Sequence, residues 1–351
     1  MSAPAVAFHG VTKRYGGVVA VNDVSFAIAR GSLVTLLGPS GCGKTSTLRL
    51  IAGLEQPSEG RILIGGADVT TLSAAERDVS MVFQSYALFP HMTVLENVCY
   101  GLRAAGVARA RAREQAAEKL ALVGLAGYEK RLPSELSGGQ QQRVAVARAI
   151  VLEPQVLLFD EPLSNLDAKL RRRVREEIRA LQQDLSLTVV YVTHDQEEAL
   201  AVSDRIIVMN MARIAQDGSP RSLYERPNSH FVADFIGDAN LLPVTIERHD
   251  GAQAVVRIGA ATIRLPHHDV PPGPAELAIR PRAVRLGGEA DGLTGRIDKA
   301  AYLGDHMEYL VAVDGLMREL FVIDTNVAAP RAAGAVVGIA LDAEGAVLVP
   351  P

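Results

Sequence analysis

Short apolar, β-rich runs (Leu33 to Leu37, Val156 to Phe159, Thr188 to Thr193, Arg205 to Met209) alternate with segments of helical period through the first two-thirds of the chain. That alternation predicts α/β units around a largely parallel sheet. Residues 103–123, rich in Ala, Arg and Glu with little β-branching, have high helix propensity and predict part of a helical insert. After Gly237 the pattern changes to alternating runs: Ala254 to Ile258, Thr262 to Leu265, Glu276 to Ile279, Tyr309 to Val313, Glu319 to Ile323 and Val336 to Leu341. With Asp-Gly pairs at 250–251, 291–292 and 314–315, these strands predict a small β-barrel or sandwich. No internal repeat of fixed period is present, and Pro271-Pro272-Gly273-Pro274 is a local loop.

Charge sharpens the boundary. Residues 1–236 carry 26 Lys/Arg against 25 Asp/Glu, whereas 237–351 carry 10 against 15, with Lys299 the single lysine. The shift predicts one domain over 1–236 and a second over 237–351, in keeping with a 351-residue chain. A formal charge of −4 gives no reason to expect nonspecific binding to nucleic acid, and 48% hydrophobic residues exclude the disordered class. Two cysteines, Cys42 and Cys99, are too few for a disulfide framework or a Cys-based zinc site and suit a reducing compartment such as the cytosol. The chain contains no run of ~18 apolar residues, and Met1-Ser2-Ala3-Pro4 does not read as a secretory signal. Any membrane association is therefore expected to come through a partner.

Gly38-Pro39-Ser40-Gly41-Cys42-Gly43-Lys44-Thr45 matches the eight-position phosphate-loop pattern and lies between a predicted strand and a predicted helix. Glycines let successive N–H groups curl around a phosphate, Lys44 neutralises the β/γ oxygens, and the Thr45 hydroxyl can ligate Mg²⁺. The context outweighs the reading of an ordinary Gly-rich turn. Cys42, near a helix N-terminus, is expected to have a lowered pKa and to be oxidation-sensitive rather than catalytic. Downstream, the apolar run Val156 to Phe159 ends in Asp160 and Glu161, whose adjacent positions point to opposite faces. Asp160 suits holding Mg²⁺ and Glu161 suits polarising the water that attacks a γ-phosphate. Two solvated acids at a strand end are the alternative if the phosphate loop were absent.

Leu136-Ser137-Gly138-Gly139-Gln140, followed by Gln141-Gln142-Arg143-Val144-Ala145-Val146-Ala147-Arg148-Ala149, is similar to the signature of the nucleotide-binding subunits of ABC transporters. The resemblance spans about two-thirds of the chain and implies an α/β, P-loop NTPase cassette, a RecA-like core with a helical subdomain at about 85–150. It implies that Tyr15 stacks on adenine, that 38–46 including Ser46 cradle ATP, and that Gln84 is the Q-loop glutamine near the metal. Ser164-Asn165-Leu166-Asp167 resembles the D-loop, with Asp167 in the catalytic set. His194 in Val192-Thr193-His194-Asp195 resembles the switch histidine, which holds the water and Glu161 in line. Ser137, Gly138, Gly139 and Gln140 are then a second phosphate-reading element at a helix N-terminus; a plain N-cap has the same local geometry. In the family two ATP molecules are sandwiched head to tail in a homodimer.

The resemblance extends to partners. Tyr86, Leu88 and Phe89, beside Gln84, are expected to line a groove that receives a coupling helix of the membrane subunit; a buried loop is the alternative. The C-terminal segment, through Leu277-Ala278-Ile279-Arg280-Pro281 and Gly295-Arg296-Ile297 to Tyr302-Leu303-Gly304, is similar to the OB-like TOBE β-barrel of importer ATPases. Phe235 to Leu242 most resembles the polyamine-type branch, with ferric ion, phosphonate, thiamine or sugar as other cargoes. The expected function is ATP-driven solute uptake, at the cytoplasmic face of the inner membrane, with two permease subunits and a solute-binding protein. The remote alternative is a soluble, non-transport ABC ATPase clamping ribosomes or DNA; such proteins tend to carry two cassettes or a long coiled coil, and this chain has one cassette and no sustained heptads. The remaining histidines, His91 and His267-His268 included, have no metal-ligand spacing.

Overall fold

The computed structural model describes residues 3–350 except 165, 260 and 288–292. Met1, Ser2, Asn165 of the D-loop and the expected Asp291-Gly292 turn therefore lie outside the described residues. Contacts divide the chain into two compact units, residues 1–220 and 221–351.

The first unit runs β1 (Val6–Tyr15), β2 (Val18–Ile28), β3 (Leu33–Leu37), α1 (Lys44–Ala52), β4 (Glu59–Ile64), β5 (Ala67–Asp68), β6 (Val79–Val82), α2 (Val94–Ala104), α3 (Arg109–Leu122), α4 (Gly138–Ile150), β7 (Val156–Asp160), α5 (Ala168–Asp184), β8 (Val189–Thr193), α6 (Gln196–Val202), β9 (Arg205–Asn210) and β10 (Arg213–Gly218). Its central sheet has the order β10-β9-β3-β8-β7-β6, parallel except for β10. Leu33–Leu37 and Val189–Thr193 are buried at every residue, which is why parallel strands covered on both faces read as unbroken apolar runs. Register places Leu37 opposite Thr193, Asp160 opposite Val192 and Val82 opposite Phe159, so the C-terminal ends of β3, β8, β7 and β6 line up along one edge. That edge is where α/β sheets place ligands.

A second, antiparallel sheet, β2-β1-β4-β5, shares an apolar core with α1 and the central sheet. Helices α2, α3 and α4 form their own cluster around Val98, Leu102, Leu120 and Val144. Thr93 opens α2 and Ser137 opens α4, each with a reciprocal capping box to Glu96 or Gln140. The helix expected over 103–123 is split, because the chain turns at 105–108 between α2 and α3.

The second unit opens with α7 (Pro220–Glu225) and α8 (His230–Phe235), followed by β11 (Asn240–Asp250), β12 (Gln253–Ile258), β13 (Ala261–Pro266), β14 (Gly273–Ile279), β15 (Val284–Gly287), β16 (Leu293–Tyr302), β17 (Met307–Val313), β18 (Leu320–Asp324), β19 (Val336–Leu341) and β20 (Ala346–Val349). The charge shift at Gly237 falls inside this unit because Val232 and Ala233 of α8 are fully buried, Ala233 against Ala278 and Val349. Two antiparallel sheets, β13-β12-β11-β14-β20 and β15-β19-β16-β17-β18, share one core. Edge strands β15 and β18 approach each other, so the second sheet is a nearly closed, OB-like barrel. Asn240 on β11 pins it: its Nδ2 donates to the Phe321 carbonyl at 2.8 Å and its Oδ1 accepts from the Phe321 N–H at 2.7 Å.

Candidate active site

The phosphate loop leaves β3 and enters α1 through Gly43, whose φ of 106° is open to glycine. Side chains are excluded here by space as well. A Cβ at Gly43 would run into the Ala20 carbonyl, and one at Gly38 into the Met209 carbonyl and Cys42 Sγ. Lys44 is buried, and its ammonium donates to the carbonyls of Gly38 at 2.7 Å and Pro39 at 2.9 Å. The charge thus sits inside the curl of the loop. Thr45 and Ser46 occupy the first turn of α1, while Ser40 and Gly41 are exposed. Cys42 departs from expectation: burial pushes its thiol up, outweighing the nearby Lys44 ammonium, so it is a packed thiol rather than an oxidation-prone thiolate.

The neighbouring strand ends supply the acids. Asp160 ends β7 half-buried, and burial followed by the Glu161 charge pushes its carboxyl up. A carboxylate whose ionisation is opposed by burial and by a neighbouring charge has a chemistry that a cation would complement. Glu161 has φ 45°, an uncommon left-handed position for a side chain of this size. Its Oε2 lies 3.1 Å from Nδ1 of His194, at the end of β8. Its carbonyl accepts from the Ser164 hydroxyl at 3.0 Å, and Ser164 Oγ accepts from Gln84 Nε2 at 3.1 Å. Gln84, Ser164, Glu161 and His194 therefore form one chain of contacts across three strand ends.

Other expected residues bond locally. The Asp167 carboxylate accepts from the Leu170 N–H as the N-cap of α5. Ser137 and Gln140 close the capping box of α4; Gly139 lets α4 approach α5, where a Cβ would meet Leu170 at 3.2 Å. Tyr15 is 41% exposed, with the Lys13 ammonium 4.7 Å from its ring centroid and itself paired to Glu55 at 2.8 Å. The expected groove needs correction at Tyr86. That ring is 5% exposed, its hydroxyl donates to the Pro162 carbonyl, and Leu88 is half-buried between two core clusters. Phe89 does face a surface cluster, 4.6 Å from Tyr100 and 5.6 Å from the Arg148 guanidinium.

Sequence reasoning missed the support behind His194. Glu198 on α6 is buried, and its Oε2 accepts from the hydroxyls of Thr193 at 2.7 Å and Tyr191 at 3.3 Å. Desolvation pushes its carboxyl up. Asp195 caps the same helix and pairs with Arg171 at 3.3 Å, so the strand end carrying His194 is held from two sides. The histidines His249 and His267 stack at 4.2 Å, and no group of three or more metal-ligating side chains occurs among the described residues.

A phosphate loop after one parallel strand, with an acid pair and a histidine on the neighbouring strand ends, defines a P-loop nucleoside triphosphatase. A family model described as ABC transporter matches residues 21–164, and one described as TOBE domain matches 277–349. The chain is 62% identical to the Fe(3+) ions import ATP-binding protein FbpC of Brucella abortus (strain 2308), over 92% of this chain and 91% of that protein. It belongs to the ABC transporter family, among the ATP-binding subunits of importers, and is an ATPase coupled to transport. The proteins of the same printed name from Rhizobium meliloti (strain 1021) and Escherichia coli (strain K12) are 59% and 50% identical, over 98% and 88% of this chain and 97% and 88% of theirs. Among solved structures, cbiO1 from Clostridium perfringens, part of the ABC transporter complex cbiONQ, has a TM-score of 0.60 at 26% identity, covering 64% of this chain and 92% of that one. These relatives are named for ferric-ion import, one of the alternative cargoes, and not for polyamine. Within Phe235 to Leu242, Asn240 tethers Phe321 and Leu241 and Leu242 are buried, so that junction reports packing rather than cargo.

Proposed function

We propose that the chain powers ferric-ion import: it binds MgATP, and Glu161, held by His194, polarises the attacking water. The observation that carries this reading is the 3.1 Å contact between Glu161 and His194 at the ends of β7 and β8, β8 being paired with the strand that leads into the phosphate loop. The cargo follows the printed names of relatives that span nearly the whole chain. Lys44 and the loop N–H groups bind the β/γ-phosphates, Tyr15 stacks on the base, and Thr45 and Asp160, with Gln84 nearby, hold Mg²⁺, which supplies charge neutralisation on the phosphates. Ser137, Gly138, Gly139 and Gln140 read the γ-phosphate bound to a second copy of the chain, so hydrolysis belongs to a homodimer in which Asp167 helps set the paired D-loops. The units doing this work are residues 1–220, with a helical subdomain at about 85–150, and 221–351.

Two permease subunits and an extracytoplasmic binding protein complete the importer, with this chain peripheral at the cytoplasmic face of the inner membrane. Among the described residues no helix is long and apolar enough to cross a membrane. Phe89, Tyr100 and Arg148 are the surface groups offered to a permease. The test pairs ATP hydrolysis by the purified chain with ⁵⁵Fe uptake by cells deleted for its gene and complemented with wild type or Glu161→Gln. Restored ferric uptake by wild type alone is expected. Unchanged ferric uptake on deletion, with another solute's uptake lost, overturns the cargo while leaving the ATPase.

A further inference from the structure

Helix α5 carries the arginines Arg171, Arg172, Arg173, Arg175 and Arg179, of which 171, 175 and 179 recur at a spacing of four and so share one face. That face is turned toward α6 and the strand ends. Arg179 Nη1 and Nη2 donate to the two carboxylate oxygens of Asp204, and Arg175 Nη1 donates to the Glu197 carbonyl at 3.4 Å. Arg171, near the start of the helix, lines the same small cavity, about 50 Å³, as Glu161, Ser164 and His194.

An arginine that only pins two elements does so best by giving its whole fork to one carboxylate, since two parallel bonds fix distance and orientation together. Arg179 does this with Asp204, and Arg143 with Glu177. Arg171 divides its fork instead. Nη1 donates to Asp195 Oδ2 at 3.3 Å and Nη2 to the Leu166 carbonyl at 3.2 Å, while Nε is buried without a hydrogen bond, 3.8 Å from Oε1 of the buried Glu198. A buried N–H left unbonded is a cost that a simple pin would avoid. Its partners explain the arrangement. Leu166 lies two residues beyond Ser164, whose hydroxyl donates to the Glu161 carbonyl. Asp195 follows His194, and Glu198 accepts from the hydroxyl of Thr193, which precedes it. One guanidinium therefore grips the chain on both sides of the 3.1 Å contact between Glu161 and His194.

We infer that Arg171 is a positioning residue for ATP hydrolysis: its divided fork locks the strand end bearing His194 to the loop that follows Glu161, and so holds the imidazole Nδ1 at the Glu161 carboxylate. The inference rests on the roles proposed above for those two residues. None of the hydrogen bonds or ion pairs of Arg171 among the described residues reaches 38–46 or Tyr15, so its loss leaves ATP binding in place and acts on turnover. Misplacing a reacting group by about an ångström is enough to cost roughly 10²-fold in rate, whereas losing a partly exposed ion pair costs little stability. Geometry matters here beyond charge, because a lysine ammonium is a single point and cannot meet Asp195 and the Leu166 carbonyl in the directions of a planar fork.

The experiment measures kcat and KM for ATP, the melting temperature and the His194 ring ¹⁵N signals, assigned by comparison with His194→Gln, on the full chain and its variants. Arg171→Met is expected to lower kcat at least about tenfold while KM stays within about twofold, with the His194 signals displaced. Arg171→Lys should stay within about threefold of Arg171→Met in kcat. Arg179→Met, the control on the same helix face, should lose at least as much in melting temperature and keep kcat within about twofold of wild type. Asp195→Asn keeps the cap of α6, because Asn caps as well as Asp. It should lose kcat as Arg171→Met does, and the double variant should lose no more than about twofold beyond either single one. Wild-type kcat in Arg171→Lys, unmoved His194 signals in Arg171→Met, or parallel losses of kcat and melting temperature in the Arg171 and Arg179 variants overturn the positioning role. Should Arg171→Met fail to fold, wild-type kcat in Asp195→Asn overturns it. Near wild-type turnover in Glu161→Gln overturns the proposed roles of Glu161 and His194 and the positioning with them; slow turnover there beside an unchanged kcat in Arg171→Met overturns the positioning alone.

Discussion

The two units of the chain keep their polar groups for different ends. In residues 1–220, polar side chains at the strand ends stand in positions that cost stability: Lys44 is buried inside a loop, Asp160 is pushed toward protonation, and Glu161 sits at positive φ. In residues 221–351, the buried polar groups are pins. Asn240 satisfies both main-chain groups of Phe321, and Arg280 donates to the carbonyls of Ala233 and Tyr224 while lying 4.1 Å from the Tyr224 ring centroid. Strand β17 shows the same economy, alternating buried and half-buried residues along its whole length. At these strand ends burial and backbone strain are borne by groups suited to chemistry, whereas the pins of the second unit hold shape.

Substitution can break this contrast at several strengths. The largest effect is expected at Glu161→Gln, which should slow ATP hydrolysis by roughly 10²–10⁴-fold, as loss of a general base does, while ATP binding persists and an ATP-bound dimer accumulates. Phosphate release and sizing chromatography with MgATP check it; near wild-type turnover would remove Glu161 from the mechanism. Next comes Tyr86→Ala. Truncating a buried aromatic should cost about 3–5 kcal/mol, lowering the urea midpoint and the basal ATPase together, whereas Phe89→Ala should spare both and reduce permease copurification. Equal stability of the two variants would return Tyr86 to the docking surface.

Smaller effects test the second unit and the acid pair. Asn240→Ala leaves the Phe321 N–H and C=O unpaired and should cost about 1–3 kcal/mol, seen as a lower melting temperature with kcat for ATP unchanged; a drop in kcat would mean the pins serve the chemistry too. The smallest shift is expected for Asp160→Asn. The carboxyl of Asp160 is raised in the folded chain, so its contribution to stability is present below the unfolded value and lost as pH rises through the folded value. At pH 7 the ionised group is therefore a cost, and the amide should melt higher at pH 7 than wild type, with the gain vanishing in acid. Calorimetry at pH 7 and at about pH 4 reads the difference, and a gain that persists in acid would put its source elsewhere.

What was legible in the sequence followed the same division. Buried parallel strands such as Val156–Asp160 announce themselves as apolar runs, and the phosphate loop, the acid pair and His194 fall where those runs end. The antiparallel sheet of β1, β2, β4 and β5 was not legible. Charged residues such as Lys13, Arg14 and Asp23 interrupt its strands, and three register shifts in the β1–β2 ladder break the period-two pattern. Glu198 was missed for a different reason: in a short helix rich in acids it reads as solvated, and only the packing of α6 against β8 and β3 buries it. Tyr86 was misread because its burial depends on a distant partner, Pro162, and not on its neighbours in sequence.

The left-handed backbone at Glu161 has a consequence for selection. Glycine adopts φ near 45° without strain, so Glu161→Gly would relieve both a constrained backbone and the charge beside Asp160. A library screened only for thermal tolerance or yield would therefore enrich substitutions at this position and discard the ATPase in doing so. Retention of glutamate there needs a screen that scores nutrient uptake, and the frequency of glycine at 161 in a stability-sorted population measures how strongly the fold resists a glutamate at that backbone position.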